Sequence, residues 1–367
     1  MDKGRISEAD QTYTPQFYRL NRCQDREDFV KLQTSPYIQI YDELQGQLTE
    51  LIKSLNPLEK ISPSDYDDRI LKHLNGQAMA DYGVWVFYPW SNKLVHLLDE
   101  DEFIEIRTTR NRNKITRDEQ DELKLKKIGI VGLSVGQSIA LTMAMERTCG
   151  ELRLADFDTA ELSNLNRLRT GVHNLGLKKT IIAAREIMEI DPFLKVKIFN
   201  NGLCSENMDD FFSGEGNLDL LVEVCDGLEM KIISRIKARE LQIPVVMDTN
   251  DRGMLDIERF DLEPDRKILH GLLESENPAE IGSLSPGDKM KLVLRIIDSE
   301  NISQRLKDSI AELGKTLGSL PQLASSVVLG GAISADTARR ILLNQFTSSG
   351  RFYVDTEEII NEAHLFV

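Results

Sequence analysis

From Lys127 onward the chain alternates short apolar runs of strand length with longer segments of helical spacing, and this rhythm limits the available folds more than any other feature. KIGIVG (127–132) precedes SIALTMAMERT, ELRLADFD precedes KKTIIAAREIMEI, and KVKIF, DLLVEV, EMKIISRIKARELQ and PVVMDT follow. Uninterrupted apolar strands separated by helices specify a parallel sheet covered on both faces, because each β–α–β crossover lays a helix over it. The expected class is α/β: a Rossmann-like, doubly wound, mostly parallel sheet with helices on both faces. Leu255–Glu263 is expected to add a strand, and residues 275–345 read as mostly helical. Within them QLASSVVLGGAISADTARRILL suits a helix packed closely in the core, while the tail from Phe346 carries no clear pattern.

Upstream the pattern differs. Residues 1 to 35 are polar and broken by Pro15, with Pro36 just beyond, and are expected to form an irregular arm. Between Ile40 and Leu55 the residues Leu44, Leu48, Leu51, Ile52 and Leu55 recur at helical spacing, and Asn56-Pro57 ends the run. VWVFY (84–88), the turn PWSN, KLVHLL and FIEI are expected as a short antiparallel meander. In it Trp85 and Trp90 read as a core and a turn residue.

Composition excludes several classes. With 367 residues, 41% hydrophobic and 29% charged, the chain has the material for a core and is not of the disordered type. A formal charge of -15 opposes nonspecific binding to nucleic acid or anionic lipid. No apolar run reaches the roughly 18–20 residues of a membrane helix, and the first fifteen residues lack a signal-peptide core, so a cytoplasmic protein is expected. The four cysteines (Cys23, Cys149, Cys204, Cys225) form no C-x-x-C pair and the five histidines are dispersed, which points to free thiols and no structural zinc.

The first strand of the alternating region runs into Gly132-Leu133-Ser134-Val135-Gly136 and then a helix. Backbone N–H groups and a helix N-terminus bind phosphates in that context. The loop departs from G-x-G-x-x-G at Ser134 and is tighter by about one residue. It also spells G-x-S-x-G, the nucleophile elbow of α/β hydrolases, with Ser134 as nucleophile. Against that alternative, this strand opens the parallel sheet, and there is no HGGG-type segment. Asp156 and Asp158 lie where an acid accepts hydrogen bonds from ribose hydroxyls, so NAD or another adenine nucleotide fits. The bland alternatives are a tight strand-to-helix turn at the glycines that binds no ligand and, separately, Asp158 as the cap of the turn that follows it.

Asp156–Arg167 reads DFDTAELSNLNR. This closely resembles the D-x-D-x-V-x-x-S-N-L-x-R signature of the E1-like adenylyltransferase family, the ThiF, MoeB and HesA type that includes ubiquitin-activating enzymes. Lys179 and Cys225-Asp226-Gly227 match two further elements of the family in order, and the resemblance covers roughly residues 110–260. It implies binding of ATP and Mg2+ and attack by the C-terminal carboxylate of a small ubiquitin-like carrier protein, giving an acyl-adenylate and pyrophosphate. Arg167 and Lys179 match the triphosphate-binding pair, Asn164 the polar residue beside them, Asp156 the ribose acid and Asp226 the magnesium acid. Gly132, Ser134, Gly136 and Asp158 complete the nucleotide site. Arg110 and Arg112, in TRNRNKIT, resemble the segment that one subunit inserts into its partner's site, which implies a homodimer. Thr116 and Glu119 follow with capping-box spacing.

The family's thioester cysteine has no counterpart after the fifth strand, so the implied chemistry stops at the adenylate or passes it to another thiol. YGVWVFYPWSNKLVHLL and TNDRGMLDIERFD resemble a bacterial subgroup often joined to a nitroreductase-like domain. The expected organisation is an N-terminal α+β region (1–109), a nucleotide-binding domain (110–265) and a mostly helical extension (266–367). The altered glycine loop leaves one alternative of another class, a sensor or scaffold that has lost catalysis.

Overall fold

The computed structural model describes residues 11–361. They fall into two compact units, one reaching Arg117 and including Met188–Phe193, the other comprising Asp118–Ile187 and the chain from Leu194. The first ten residues of the expected arm and the last six of the tail lie outside the described residues.

In the first unit, strands β1 (Gln16–Tyr18), β2 (Gln39–Asp42), β3 (Val84–Tyr88) and β4 (Lys93–Leu97) form a sheet of order β1-β3-β4-β2. Helices α1 (Cys23–Gln33), α2 (Leu44–Leu55), α3 (Asp65–Leu74) and α4 (Glu100–Arg107) accompany it. Four of the five residues behave as their spacing predicts, since Leu44, Leu48, Leu51 and Ile52 are buried with Ile70, Leu74 and Leu98, whereas Leu55 at the helix end is exposed. Three expectations fail here. Residues 16–33 are β1 and α1 rather than an irregular arm, 39–42 are a strand rather than helix, and FIEI lies in α4. In that last case Asp99 accepts a hydrogen bond from Glu100 N, and the acidic first turn favours a helix start over a third meander strand. Trp85 is buried in β3, and Trp90 lies in the turn, where it donates to Glu189 at 2.6 Å.

A helix α5 (Arg117–Leu123) leads into the second unit, whose strands are β5 (Lys127–Val131), β6 (Glu151–Ala155), β7 (Lys195–Phe199), β8 (Leu220–Glu223), β9 (Val245–Asp248), β10 (Met254–Glu258) and β11 (Gly350–Tyr353). Their order is β11-β10-β9-β8-β5-β6-β7. Strands β5 to β9 are parallel, and β10 and β11 close one edge in antiparallel pairing. The mostly parallel α/β sheet expected from the alternation is therefore present. The chain runs from β5 outward through β6 and β7, then returns to the other side of β5 as β8. Val131 thus faces Ala155 on one side and Glu223 on the other. Ligands of such sheets bind beyond the carboxyl ends of the strands at this reversal.

The connecting helices are α6 (Gly136–Glu146), α7 (Lys179–Ile190), α8 (Met208–Ser213) and α9 (Leu228–Glu240). After β10 come the short helices α10 (Pro278–Gly282), α11 (Pro286–Ile296) and α12 (Gln304–Glu312), then α13 (Ala324–Leu342); α14 (Thr356–Ile359) follows β11. Helix α13 has the close packing its small residues predict. A Cβ on Gly330 would lie 2.1 Å from Asp248 Oδ2, and one on Gly331 would lie 2.4 Å from Ser138 Oγ. Among the described residues no helix is long and apolar enough to cross a membrane.

Candidate nucleotide site

Two loops meet at the reversal. Gly132 follows β5 with φ +91°, a left-handed conformation, and a Cβ there would lie 2.8 Å from Cys225 N and from Val224 O. Glycine is thus required by conformation and by contact. Gly132→Ala is expected to lower stability by about 2–3 kcal/mol, the left-handed penalty plus displacement of the 224–227 loop. Urea unfolding followed by hydrogen exchange in α6 checks this; a variant as stable as the parent would show that the loops do not need the contact.

Asp156 shapes the same loop from the next strand. Its Oδ2 accepts Leu133 N at 2.6 Å and its Oδ1 accepts Asp158 N at 2.7 Å. Burial raises its pKa above the usual carboxylate value, against the two backbone bonds and Lys179. Asp158 pairs with Lys179 Nζ at 2.7 Å, and Lys179 N donates to Asp158 O at 3.1 Å, so the start of α7 is tied to the end of β6. Lys179 is buried while Asp158 is half exposed. An ammonium has three hydrogens, so this pairing leaves two for another anion.

The segment between them carries the signature. Leu162–Asn166 is a 3-10 turn in which Asn164 Oδ1 accepts Glu161 N, so this residue caps its own turn and retains a free carboxamide edge. Gln137, buried on α6, donates to Arg169 O at 2.9 Å and accepts Arg169 N at 2.8 Å. It thereby clamps the backbone just after Arg167 onto the phosphate-loop helix. Burial lowers the pKa of Arg167, and the nearby Asp226 carboxylate offsets this in part. Asp226 is exposed in the loop after β8.

Beneath that loop lies a charge cluster that the sequence reading did not identify. Glu223, fully buried at the end of β8, meets Lys231 at 2.9 Å and also Arg235, which bonds Glu258 at 2.8 Å. Burial alone would raise the Glu223 pKa, but the two cations hold it at about 2. Glu223 Oε1 also accepts Cys225 N at 3.0 Å, so the cluster fixes the backbone that presents Asp226. Burial, and then Glu223, raise the pKa of the Cys225 thiol well above its ordinary value. The polar spacing Glu223, Lys231, Arg235 across a strand and a helix was the available signal.

Ser134 Oγ and Arg167 Nε are among the buried polar atoms at this end of the sheet that have no partner among the described residues. An unpaired Ser134 hydroxyl has no histidine base, which removes the support for the hydrolase alternative. Of the other two arginines, Arg110 is exposed in the turn Thr109–Asn111 and Arg112 pairs with Glu105, both within the first unit.

Residues 108–253 match the model of the ThiF family. The chain is 39% identical over 343 residues to an uncharacterized protein of Mycobacterium tuberculosis, covering 93% of this chain and 45% of that protein. It is 26% identical over 193 residues to a probable molybdopterin-synthase adenylyltransferase of Porphyra purpurea, covering 48% and 50%. It thus spans about half the length of these curated relatives. The fold is also that of Escherichia coli MccB in its crystal structure with MccA-N7isoASN, with a TM-score of 0.50, 15% identity and 86% of each chain covered. The parallel sheet, the loops at its reversal and the matched segment agree: residues 108–253 of this chain are a ThiF-family domain.

Proposed function

We propose that the protein is an ATP- and magnesium-dependent adenylyltransferase that activates a carboxylate, namely the C-terminus of a small ubiquitin-like carrier protein. The observation that carries this reading is the pair of buried, unpartnered atoms Ser134 Oγ and Arg167 Nε on the loops after β5 and β6. Each costs about 1–3 kcal/mol unless a ligand satisfies it, and a polyphosphate accepts from both. The family match and the adenylyltransferase named among the relatives support the same chemistry.

The residues fit the roles. Gly132 and Gly136 let the loop pack closely on Val224, Cys225 and Ile130, which sets the backbone of the turn where phosphates would approach, and Asp156 and Asp158 supply acceptors for ribose hydroxyls. Asp226 is a single exposed carboxylate next to Arg167, the kind of ligand magnesium takes together with phosphate oxygens and water. Asp226 would hold magnesium there, and the ion would supply charge neutralisation for the departing pyrophosphate.

A substrate carboxylate oxygen attacks the α-phosphorus and the bond from that phosphorus to the bridging oxygen breaks. Pyrophosphate departs with the electron pair, leaving a mixed anhydride. No proton moves, so the protein's task is placement and charge. Arg167 and the free hydrogens of Lys179 hold the growing negative charge. Cys225, kept as a thiol by burial and Glu223, is unsuited to take the acyl group. The adenylate is therefore the product or passes to a thiol elsewhere. The proposal includes a cytoplasmic homodimer in which Arg110 or Arg112 completes the partner's site.

The test is magnesium-dependent ATP–pyrophosphate exchange by the full chain, alone and with small ubiquitin-fold proteins encoded nearby. Exchange is expected with one carrier and is expected to vanish when that carrier's C-terminus is amidated. Calorimetric ATP binding without exchange would replace this reading with the nucleotide sensor, and absence of both would overturn it.

A further inference from the structure

Asn166 occupies an unconstrained place in the signature, yet it makes two bonds that no other side chain of its size could combine. Arg167 Nη1 donates to Asn166 Oδ1 at 2.9 Å, and Asn166 Nδ2 donates to the backbone carbonyl of Gln322 at 2.7 Å. A guanidinium only donates and a carbonyl only accepts, so the partners fix which way the carboxamide faces. Aspartate would lack the N–H, and serine or threonine would lack the reach. Gln322 belongs to the stretch 318–323 that runs into α13, far from Asn166 in sequence. Each residue that Asn166 joins carries a buried atom without a partner among the described residues, Nε of Arg167 and Oε1 of Gln322. Asn166 itself is exposed and contributes nothing to the apolar core.

We infer that Asn166 is a positioning residue of the nucleotide site, an inference that rests on the adenylation reading. It aims the Arg167 guanidinium at phosphate oxygens and fastens 318–323 to the arginine's loop. One carboxamide thus couples the charge that recognises a nucleoside triphosphate to the placement of a segment remote in sequence. The neighbouring clamp, Gln137 on Arg169, fixes the backbone of that loop but leaves the Arg167 side chain to be set by Asn166.

The experiment uses the full chain and calorimetry with ATP and with AMP, for the parent, Asn166→Ala, Arg167→Ala and the double variant. Asn166→Ala is expected to weaken ATP about 10-fold and AMP less than about 3-fold, with little further loss when Arg167 is already alanine. Amides of 318–323 are expected to exchange hydrogen faster in Asn166→Ala at an unchanged Tm, which a general loss of structure would not produce. Asn166→Asp keeps an acceptor for Arg167 but not the donor for Gln322, so it should reproduce the faster exchange, and it serves if the alanine variant fails to fold. Parent-like ATP affinity in Asn166→Ala, additive losses in the double variant, or unchanged exchange at 318–323 would each overturn the assignment. If the parent itself binds no ATP, the adenylation reading falls and this inference with it. If the parent binds ATP and Asn166→Ala matches it, only this inference falls.

Discussion

Asp226→Ala is expected to abolish magnesium-dependent pyrophosphate exchange, a loss of at least about 10²–10³-fold, without disturbing the fold. The side chain is exposed, so its removal leaves no cavity and should change stability by less than about 0.5 kcal/mol. Its electrostatic neighbour is Arg167, whose partly desolvated guanidinium it offsets. Without magnesium that carboxylate competes with phosphate for the arginine. ATP should therefore bind Asp226→Ala in a chelator at least as well as it binds the parent. Asp226→Asn should lose exchange to a similar degree, because shape is kept and the anionic ligand is not. The decisive pair of measurements is exchange with magnesium and ATP affinity without it. Exchange within threefold of the parent would remove Asp226 from the metal site; equal loss of exchange and of metal-free ATP binding would make it a structural residue of the loop.

The second unit was legible because its physics is periodic. Continuous apolar strands alternating with helices leave few topologies, and the reversal at β5 and β8 places Gly132, Asp156 and Asp226 at one end of the sheet without knowledge of any side-chain contact. Gly330-Gly331 was legible for another reason. Two glycines inside a helix cost about 1 kcal/mol each relative to alanine, so they signal backbone that something must approach, and Asp248 and Ser138 do. The first unit was not legible in the same way. β1 has three residues and β2 four, all of β2 exposed, so neither shows the alternation that announces a strand. Their pairing with β3 and β4 is decided by tertiary contact. Nor could the sequence show that Asn164 spends its carboxamide oxygen on its own turn, or that Asn166 reaches Gln322. The second fact depends on where the chain after α12 returns.

Asp248 supplies the second large effect, in stability and its dependence on pH. It ends β9 almost fully buried, with Oδ1 accepting Asn250 N at 3.3 Å and Oδ2 without a partner against the backbone of Gly330. Burial pushes its pKa up to about 7, outweighing the backbone hydrogen bonds from Asn250 and Thr249. An unfolded aspartate titrates near 3.9. Between about pH 4 and 7 the native state therefore holds a proton that the unfolded state has released, and stability falls as pH rises through that window. A gap of about three pH units corresponds to about 4 kcal/mol, present at low pH and lost above pH 7. Asp248→Asn removes the titration while keeping the shape. Parent and variant should be about equally stable near pH 4, and the variant should gain by about 4 kcal/mol at pH 8. Both tryptophans, Trp85 and Trp90, belong to the first unit, so their fluorescence does not report on this site. Hydrogen exchange of the α13 amides against urea, at pH 5 and 8, does. Parallel profiles for parent and variant would mean that Asp248 finds a cationic or donating partner when ionised. A variant destabilised at both pH values would mean that the packing against Gly330 requires the carboxyl itself.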